Sequence, residues 1–208
     1  MNRGFTIIEL VVSIGIFAVM TSLVVAKYGT FNQSTLLTDT AYDLALVLHT
    51  AQNYGLSVKN AAGSSNPFGL PYAVDIRSSA SGGLCGSATS DNKHIVLYGD
   101  AYPASAPDGV CASGDSNLTT YGLTRGAYIA PTTSGAGSGL CVGNGSSCSF
   151  YNVTQLDISF TRPNPEAKIC ANGSSASCYT YAEVTIMGGD GSTRTIAIRE
   201  NGQISVKP

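Results

Sequence analysis

The pattern of apolar and polar residues divides the chain into a long apolar opening and a mixed remainder. Residues 5–26, FTIIELVVSIGIFAVMTSLVVA, are almost wholly apolar, and Lys27 ends the run. One membrane crossing needs about 20 such residues, whereas a secretory signal has an apolar region of about 7 to 15. Arg3 precedes the segment and predicts a cytoplasmic N-terminus, with everything after Lys27 outside.

Glu9 is the only charged residue in that apolar segment. An ionised carboxylate in hydrocarbon costs several kcal/mol unless it is neutralised or paired. Two interpretations follow from its position alone. The carboxylate reaches the head groups near the membrane surface, or it pairs with a group on another chain.

A second periodic segment follows in residues 34–59. Apolar or small residues recur there at steps of three and four, which is the period of an amphipathic helix. They are Leu37, Ala41, Leu44, Leu48 and Ala51. We predict that residues 27–60 continue the anchor helix and lay one face on a sheet, with Gly55 either ending the helix or tolerated inside it at about 1 kcal/mol.

The rest of the chain, residues 61–208, predicts one β-rich head domain. Short strand-like runs between Gly- and Ser-rich loops are followed by four segments of alternating apolar and polar residues, with turn signals at Gly188–Gly191 and Asn201–Gly202. The predicted strands are Tyr72–Ile76, His94–Tyr98, Ala127–Ile129, Gln155–Phe160, Tyr181–Met187, Thr193–Arg199 and Gln203–Val206. We therefore predict an α+β fold with a long helix packed on an antiparallel sheet that ends in a meander.

All six cysteines lie downstream of the apolar segment, so they enter the same compartment. They are Cys85, Cys111, Cys141, Cys148, Cys170 and Cys178. An even number favours disulfides in an oxidising space, and about 15 pairings are open to six cysteines. The close pairs Cys141/Cys148 and Cys170/Cys178 suit local closure, which leaves Cys85 with Cys111. A zinc site is disfavoured because there is no C-x-x-C and neither His49 nor His94 has ligand spacing.

Composition and motifs point away from an enzyme. The net charge is −2 with 11 basic and 13 acidic residues, so there is no general attraction to nucleic acid. No phosphate-binding or dinucleotide motif opens a helix, and each histidine has a structural explanation. Asp108 and Asp115 lack the dense ligand spacing of a calcium loop. We expect no catalytic residue, metal or cofactor.

The junction of Gly4 with Phe5, followed by Glu9 and a Leu/Ile/Val-rich helix, resembles the N-terminal motif of type IV prepilins and pseudopilins. The resemblance implies a pilin-like fold, a leader at residues 1–4, cleavage and methylation at Phe5 by a prepilin peptidase, and an assembly helix at residues 5–26. It implies that Glu9 pairs with the Phe5 amine of a neighbouring subunit. The implied partners are membrane lipid, other pilins and an inner-membrane assembly platform. The implied location is the bacterial inner membrane with the head outside, and then a filament.

The terminal segment IAIRENGQISV, with the long helix and loop region, is similar to GspH/FimT-type minor pseudopilins. This resemblance implies a minor or priming subunit of a type IV pilus, a competence pilus or a type II secretion pseudopilus. It also suggests DNA binding during uptake, for which Arg194, Arg199 and Lys207 are the candidate phosphate contacts. A membrane-tethered ectodomain that never polymerises is the remaining alternative. Ala26 stands where a proline often falls in major pilins.

Overall fold

The computed structural model describes residues 4–57, 69–103, 107–133 and 138–207, with the backbone alone at residues 28–32. The first element is a single helix, α1, at Ile7–Leu56, 50 residues or about 75 Å long. The predicted continuation of the anchor into an amphipathic helix is confirmed. The helix ends at Leu56, short of the predicted residue 60, and residues 58–60 lie outside the described part of the chain.

The strands of the head occur in chain order after the helix. They are β1 (Tyr72–Arg77), β2 (Gly83–Cys85), β3 (Ala88–Ser90), β4 (His94–Gly99), β5 (Ser116–Gly122), β6 (Tyr128–Ile129), β7 (Leu140–Gly143), β8 (Gln155–Phe160), β9 (Ala167–Ala171), β10 (Ser174–Tyr179), β11 (Tyr181–Met187), β12 (Thr193–Arg199) and β13 (Ile204–Lys207). Every pairing among them is antiparallel, so the predicted α+β class is confirmed.

Two large sheets form the head. The first has the order β10-β9-β8-β1-β4-β5. The second has the order β13-β12-β11-β6, with β7 also pairing with β11. Strands β11, β12 and β13 of this sheet are consecutive in the chain and form the predicted terminal meander. The meander turns at Gly188–Gly191 and at Asn201–Gly202. The hairpin of β2 and β3 forms a separate two-stranded sheet that packs against the first large sheet.

The helix packs against both large sheets and closes one hydrophobic core. All five periodic residues of its second half are at most 3% exposed, as an amphipathic face in contact with a sheet requires. They meet inward-facing side chains of both sheets, such as Ile76 and Ile158 on one and Val184 and Ile196 on the other. The two sheets share no strand, and the helix contributes side chains to the one core that lies between them.

Gly55 has a specific packing role within α1. A Cβ atom at this position would lie 2.5 Å from the carbonyl oxygen of Phe160 at the end of β8. The helix therefore approaches β8 more closely than any side chain allows. Of the two predicted roles for Gly55, the structure selects the residue tolerated inside the helix.

The region predicted as long loops contains more strand than expected. β2, β3, β5 and β7 lie there, and β9 and β10 were also absent from the prediction. Cys85 and Cys141 consequently lie in strands and not in loops. These strands are rich in Gly, Ser, Thr and Cys, so their apolar alternation is too weak to recognise.

Candidate functional site: the N-terminal segment

The helix begins just after the junction that the sequence marks for processing. Thr6 is the N-cap, with extended backbone angles, and its hydroxyl oxygen accepts a hydrogen bond from the Glu9 backbone N–H at 3.3 Å. Thr6 and Glu9 form the T-x-x-E pattern of a capping box, a signal that the sequence analysis missed. Gly4 and Phe5 therefore lie outside the helix and are exposed, while residues 1–3 of the predicted leader lie outside the described residues.

Glu9 occupies the first turn of α1 and is exposed. An acidic side chain is favoured there by the partial positive charge of the helix N-terminus. Its backbone carbonyl accepts a hydrogen bond from the Ser13 hydroxyl at 2.7 Å. Among the described residues no side chain pairs with its carboxylate, so any charged partner must come from outside this part of the chain.

The first half of α1 is apolar on every side. Ile7–Lys27 has a mean hydropathy of 2.4, is long enough to cross a membrane, and is 0% buried in its most apolar window. The second half begins to be covered at Leu37. Because the first half has no polar face, water is a poor solvent for it. Either lipid or other apolar helices must cover it.

Comparison with known families bears directly on this segment. Residues 1–25 match the family model described as the prokaryotic N-terminal methylation motif.

The chain carries a prokaryotic N-terminal methylation motif.

The motif supports the resemblance to type IV prepilins and pseudopilins, whose subunits are structural and not enzymatic. The matched residues 1–25 include most of the exposed apolar half of α1. The chain is consistent with a single-pass membrane-anchored subunit of this type. Comparisons with curated proteins and with solved structures gave no match, so the likeness of the head to GspH/FimT-type pseudopilins stays a prediction.

The three basic residues predicted to contact DNA do not come together. Arg194 lies on the helix side of β12 and donates hydrogen bonds to Thr38 Oγ1 at 3.1 Å and Ser34 Oγ at 3.0 Å. It therefore fastens the helix to the second sheet. Arg199 and Lys207 instead lie over the ring of Tyr181, at 5.4 and 5.6 Å from its centroid.

Lys207 is further tied into a local ion pair. Its Nζ lies 2.5 Å from Glu183 Oε1 and donates a hydrogen bond to the Tyr181 hydroxyl at 2.8 Å. The hydrogen bond to Glu183 is the main cause of a raised pKa for Lys207, with the Tyr181 hydroxyl second. Part of the positive charge is thus already compensated, which weakens the case for a phosphate site here.

Asp108 and Asp115, the candidate calcium ligands, accept hydrogen bonds from backbone N–H groups. The Asp115 carboxylate accepts hydrogen bonds from the backbone N–H groups of Ala101, Tyr102 and Ala112, at 2.7 to 2.9 Å. Asp108 accepts one from Val110 at 3.0 Å. These bonds shape the loop after β4. They occupy both carboxylate oxygens of Asp115 and one of Asp108.

The histidines have ordinary surroundings. His49 is exposed on α1 and lies 3.3 Å from Gln52 Oε1 through its Nδ1 atom. The Nδ1 atom of His94 lies 2.9 Å from the carboxylate of Asp91, three residues earlier.

The six cysteines form three disulfides in the head. The pairs are Cys85–Cys111, Cys141–Cys148 and Cys170–Cys178. This is the pairing that local closure favours among the alternatives left open by the sequence. Two clusters among the described residues combine cysteine sulfur with a carboxylate, but every cysteine in them is in a disulfide. A disulfide sulfur is not the thiolate that a metal needs.

The sequence did not predict that two aspartates are buried in the head. Asp75 on β1 and Asp157 on β8 are register partners, and neither is exposed to solvent. Arg77 Nε donates to Asp75 at 2.9 Å, while the Tyr98 hydroxyl and the Cys111 N–H donate to Asp157. Burial raises the pKa of both carboxyl groups, and the charge of Asp75 raises that of Asp157 further.

These aspartates lie on the face of the first sheet that is turned away from the helix. The Cys85–Cys111 disulfide packs over this face with Ala73, Val96 and Tyr98. The available signal was an Asp inside each of two predicted strands, YAVDI at Tyr72–Ile76 and QLDISF at Gln155–Phe160. Such a position is ordinarily solvated, and here the disulfide and the side chains around it cover the face.

Proposed function

We propose that this chain is a subunit of a type IV pilus-like filament, processed between Gly4 and Phe5. The observation that carries the proposal is the methylation motif at residues 1–25, set on a helix whose first half is exposed and apolar all round. The cap at Thr6 supports processing, because it leaves the Gly4–Phe5 bond outside the helix. A prepilin peptidase would cut this bond and methylate the new amine of Phe5.

Glu9 gives the assembled filament its register in this proposal. Its carboxylate is exposed within an apolar surface and has no partner among the described residues. In a bundle of such helices, the Phe5 amine of a neighbouring subunit is a partner of opposite charge. A buried pair of this kind specifies one alignment more than it adds stability. The same helix is soluble in lipid before assembly and among other apolar helices after it.

The location follows from the same arrangement. The head lies beyond the membrane-crossing length of α1, and its three disulfides suit an oxidising space outside the cytoplasm. The partners are other pilin or pseudopilin subunits and an inner-membrane assembly platform. The finer role of a minor or priming subunit rests on the likeness of the terminal meander to GspH/FimT-type heads.

Replacing the charge at position 9 tests the proposal in cells that carry the processing and assembly machinery. We expect Glu9→Gln and Glu9→Ala to leave the chain in the membrane and to reduce its amount in the sheared filament fraction at least tenfold, a loss of about 1.4 kcal/mol or more per subunit. Glu200→Gln is the matched control, because Glu200 is an exposed carboxylate on the head. Normal filament incorporation of both Glu9 variants would contradict the role of Glu9 in assembly, and absence of the wild-type chain from the filament fraction would favour a plain membrane-tethered ectodomain.

A further inference from the structure

A cleft of about 520 Å³ opens between the two short disulfide-closed segments of the head. One wall is the chain that follows Cys148, and the other is the hairpin of β9 and β10, which the Cys170–Cys178 disulfide closes. Its lining includes Phe150, Tyr151, Asn152, Asn172, Ser177 and Tyr179. Every residue that lines the cleft is uncharged.

The aromatic surface of the cleft is held firmly in place. Phe150 is 53% exposed, yet its backbone N–H and carbonyl both bond to Val142 on β7, at 2.9 and 3.0 Å. Its ring lies 5.4 Å from that of Tyr179, tilted by 51°. Tyr179 in turn packs against the main core and directly follows Cys178. A large apolar ring is therefore presented to solvent on a rigid base.

The polar groups around these rings divide into two kinds. Asn172 is used within the protein, since its Oδ1 accepts from the Thr154 N–H at 2.9 Å and its Nδ2 donates to the Asn152 carbonyl at 3.1 Å. This fixes the hairpin turn to the opposite wall. The side chains of Asn152 and Ser177 have no hydrogen-bond partner among the described residues. They are available to a ligand.

We propose that this cleft binds a neutral glycan. A sugar ring has an apolar face of C–H groups that packs on an aromatic ring, and a rim of hydroxyl groups that both donate and accept hydrogen bonds. Phe150 and Tyr179 match the first, and the Asn152 amide and the Ser177 hydroxyl match the second.

The charge of the lining separates this ligand from a nucleic acid. Bases also stack on aromatic rings, but single-stranded nucleic acids need a positively charged groove for their phosphates. The lining of this cleft has none. The site lies on the head and does not involve the assembly segment, so it adds a recognition function to the proposed filament subunit.

The test uses the full chain in a sugar-free detergent such as an alkyl amine oxide. Saturation-transfer NMR is recorded with maltoheptaose and with tetra-N-acetylchitotetraose as neutral probes, and with oligothymidylate as the anionic probe. We expect at least one neutral glycan to bind with a millimolar dissociation constant. Phe150→Ala should weaken binding at least tenfold, because it removes the ring on which the sugar packs. Phe150→Tyr should retain it.

Tyr102→Ala is the matched control, because Tyr102 is an equally exposed aromatic, at 54%, that does not line the cleft. Asn152→Ala is a second cleft variant that keeps the experiment decisive if Phe150→Ala fails to fold, and it should also weaken binding. The proposal is overturned if neither glycan binds at millimolar concentration, or if the folded cleft variants bind as the wild type does. Binding of oligothymidylate alone would equally overturn it.

Discussion

The two halves of α1 are one continuous helix with opposite requirements. In residues 7–27 apolar side chains point in every direction and none is covered by the head. From Leu37 onward one stripe is buried against two sheets while the opposite side, including Tyr42 and Leu46, stays exposed. The helical backbone is the same in both, so the side-chain pattern alone decides the surroundings. A one-sided stripe meets a folded core, whereas an all-round apolar surface needs lipid or other subunits.

A Leu→Ala substitution should have its largest effect on stability in the second half of α1 and almost none in the first. Leu48 is fully buried in the core, so Leu48→Ala should lower the free energy of unfolding of the head by about 3 kcal/mol. Leu23 is 61% exposed, so Leu23→Ala should leave the stability of the head unchanged. Denaturant titration of the full chain in micelles, followed by near-UV dichroism of the tyrosines, measures both. Equal effects of the two substitutions on the free energy of unfolding would contradict the claim that only the second half of α1 belongs to the core of the head.

Two glycines in the same helix sharpen the comparison. Gly55→Ala should destabilise the head by about 2 kcal/mol, because the new methyl group would lie 2.5 Å from the Phe160 carbonyl oxygen. Gly15→Ala meets no atom within 4 Å and should favour the helix by up to about 1 kcal/mol. The first change is read from the unfolding of the head and the second from the helicity of the anchor in micelles. A neutral or stabilising Gly55→Ala would show that helix and β8 are not in close contact.

The stability of the head should depend on pH. Asp100 is buried, and burial is the main cause that raises its pKa from 3.8 to about 7. The folded head then holds a proton at Asp100 that the unfolded chain has released, so the contribution of this group to stability is largest below about pH 4 and is lost as the pH rises through about 7. Burial of Asp75 and Asp157 acts in the same direction.

Asp100→Asn isolates the contribution of that carboxyl group. The amide oxygen can still accept the hydrogen bond that Gly109 N–H donates to Asp100. We expect the variant to be more stable than the wild type by about 1 to 2 kcal/mol at pH 8 and equally stable at pH 4, a value reduced to allow for solvent screening. Denaturation curves at several pH values measure the difference. A constant gap across the range would contradict the assignment.

The predictability of the fold follows the strength of the apolar pattern. The strands Gln155–Phe160, Tyr181–Met187 and Thr193–Arg199 have the predicted bounds because they alternate cleanly against a single core. The hairpin of β9 and β10 was missed, although its Asn172–Gly173 turn has two residues with positive φ and is typical of such hairpins. Its strands contain mostly Ser, Ala and Cys, so composition concealed it.

A site could be predicted from the sequence only where its residues are close together along the chain. The N-terminal motif is local, and the spacing of its residues along the chain is enough to identify them. Asp75 and Asp157 become a pair only through the register of β1 with β8, and they become buried only under the Cys85–Cys111 disulfide. The cleft around Phe150 requires the chain after the Cys141–Cys148 segment to meet the hairpin closed by Cys170–Cys178, which begins about 20 residues later. No local pattern encodes contacts of this kind.

The central claim is that the apolar half of α1 is an assembly helix freed by cleavage at Gly4–Phe5. The most direct measurement is the intact mass and N-terminal residue of the chain recovered from membranes of cells that carry the processing machinery. The account predicts a chain that begins at N-methylated Phe5 and retains the apolar helix. A chain that still begins at Met1, or one cut beyond Ala26, would contradict it.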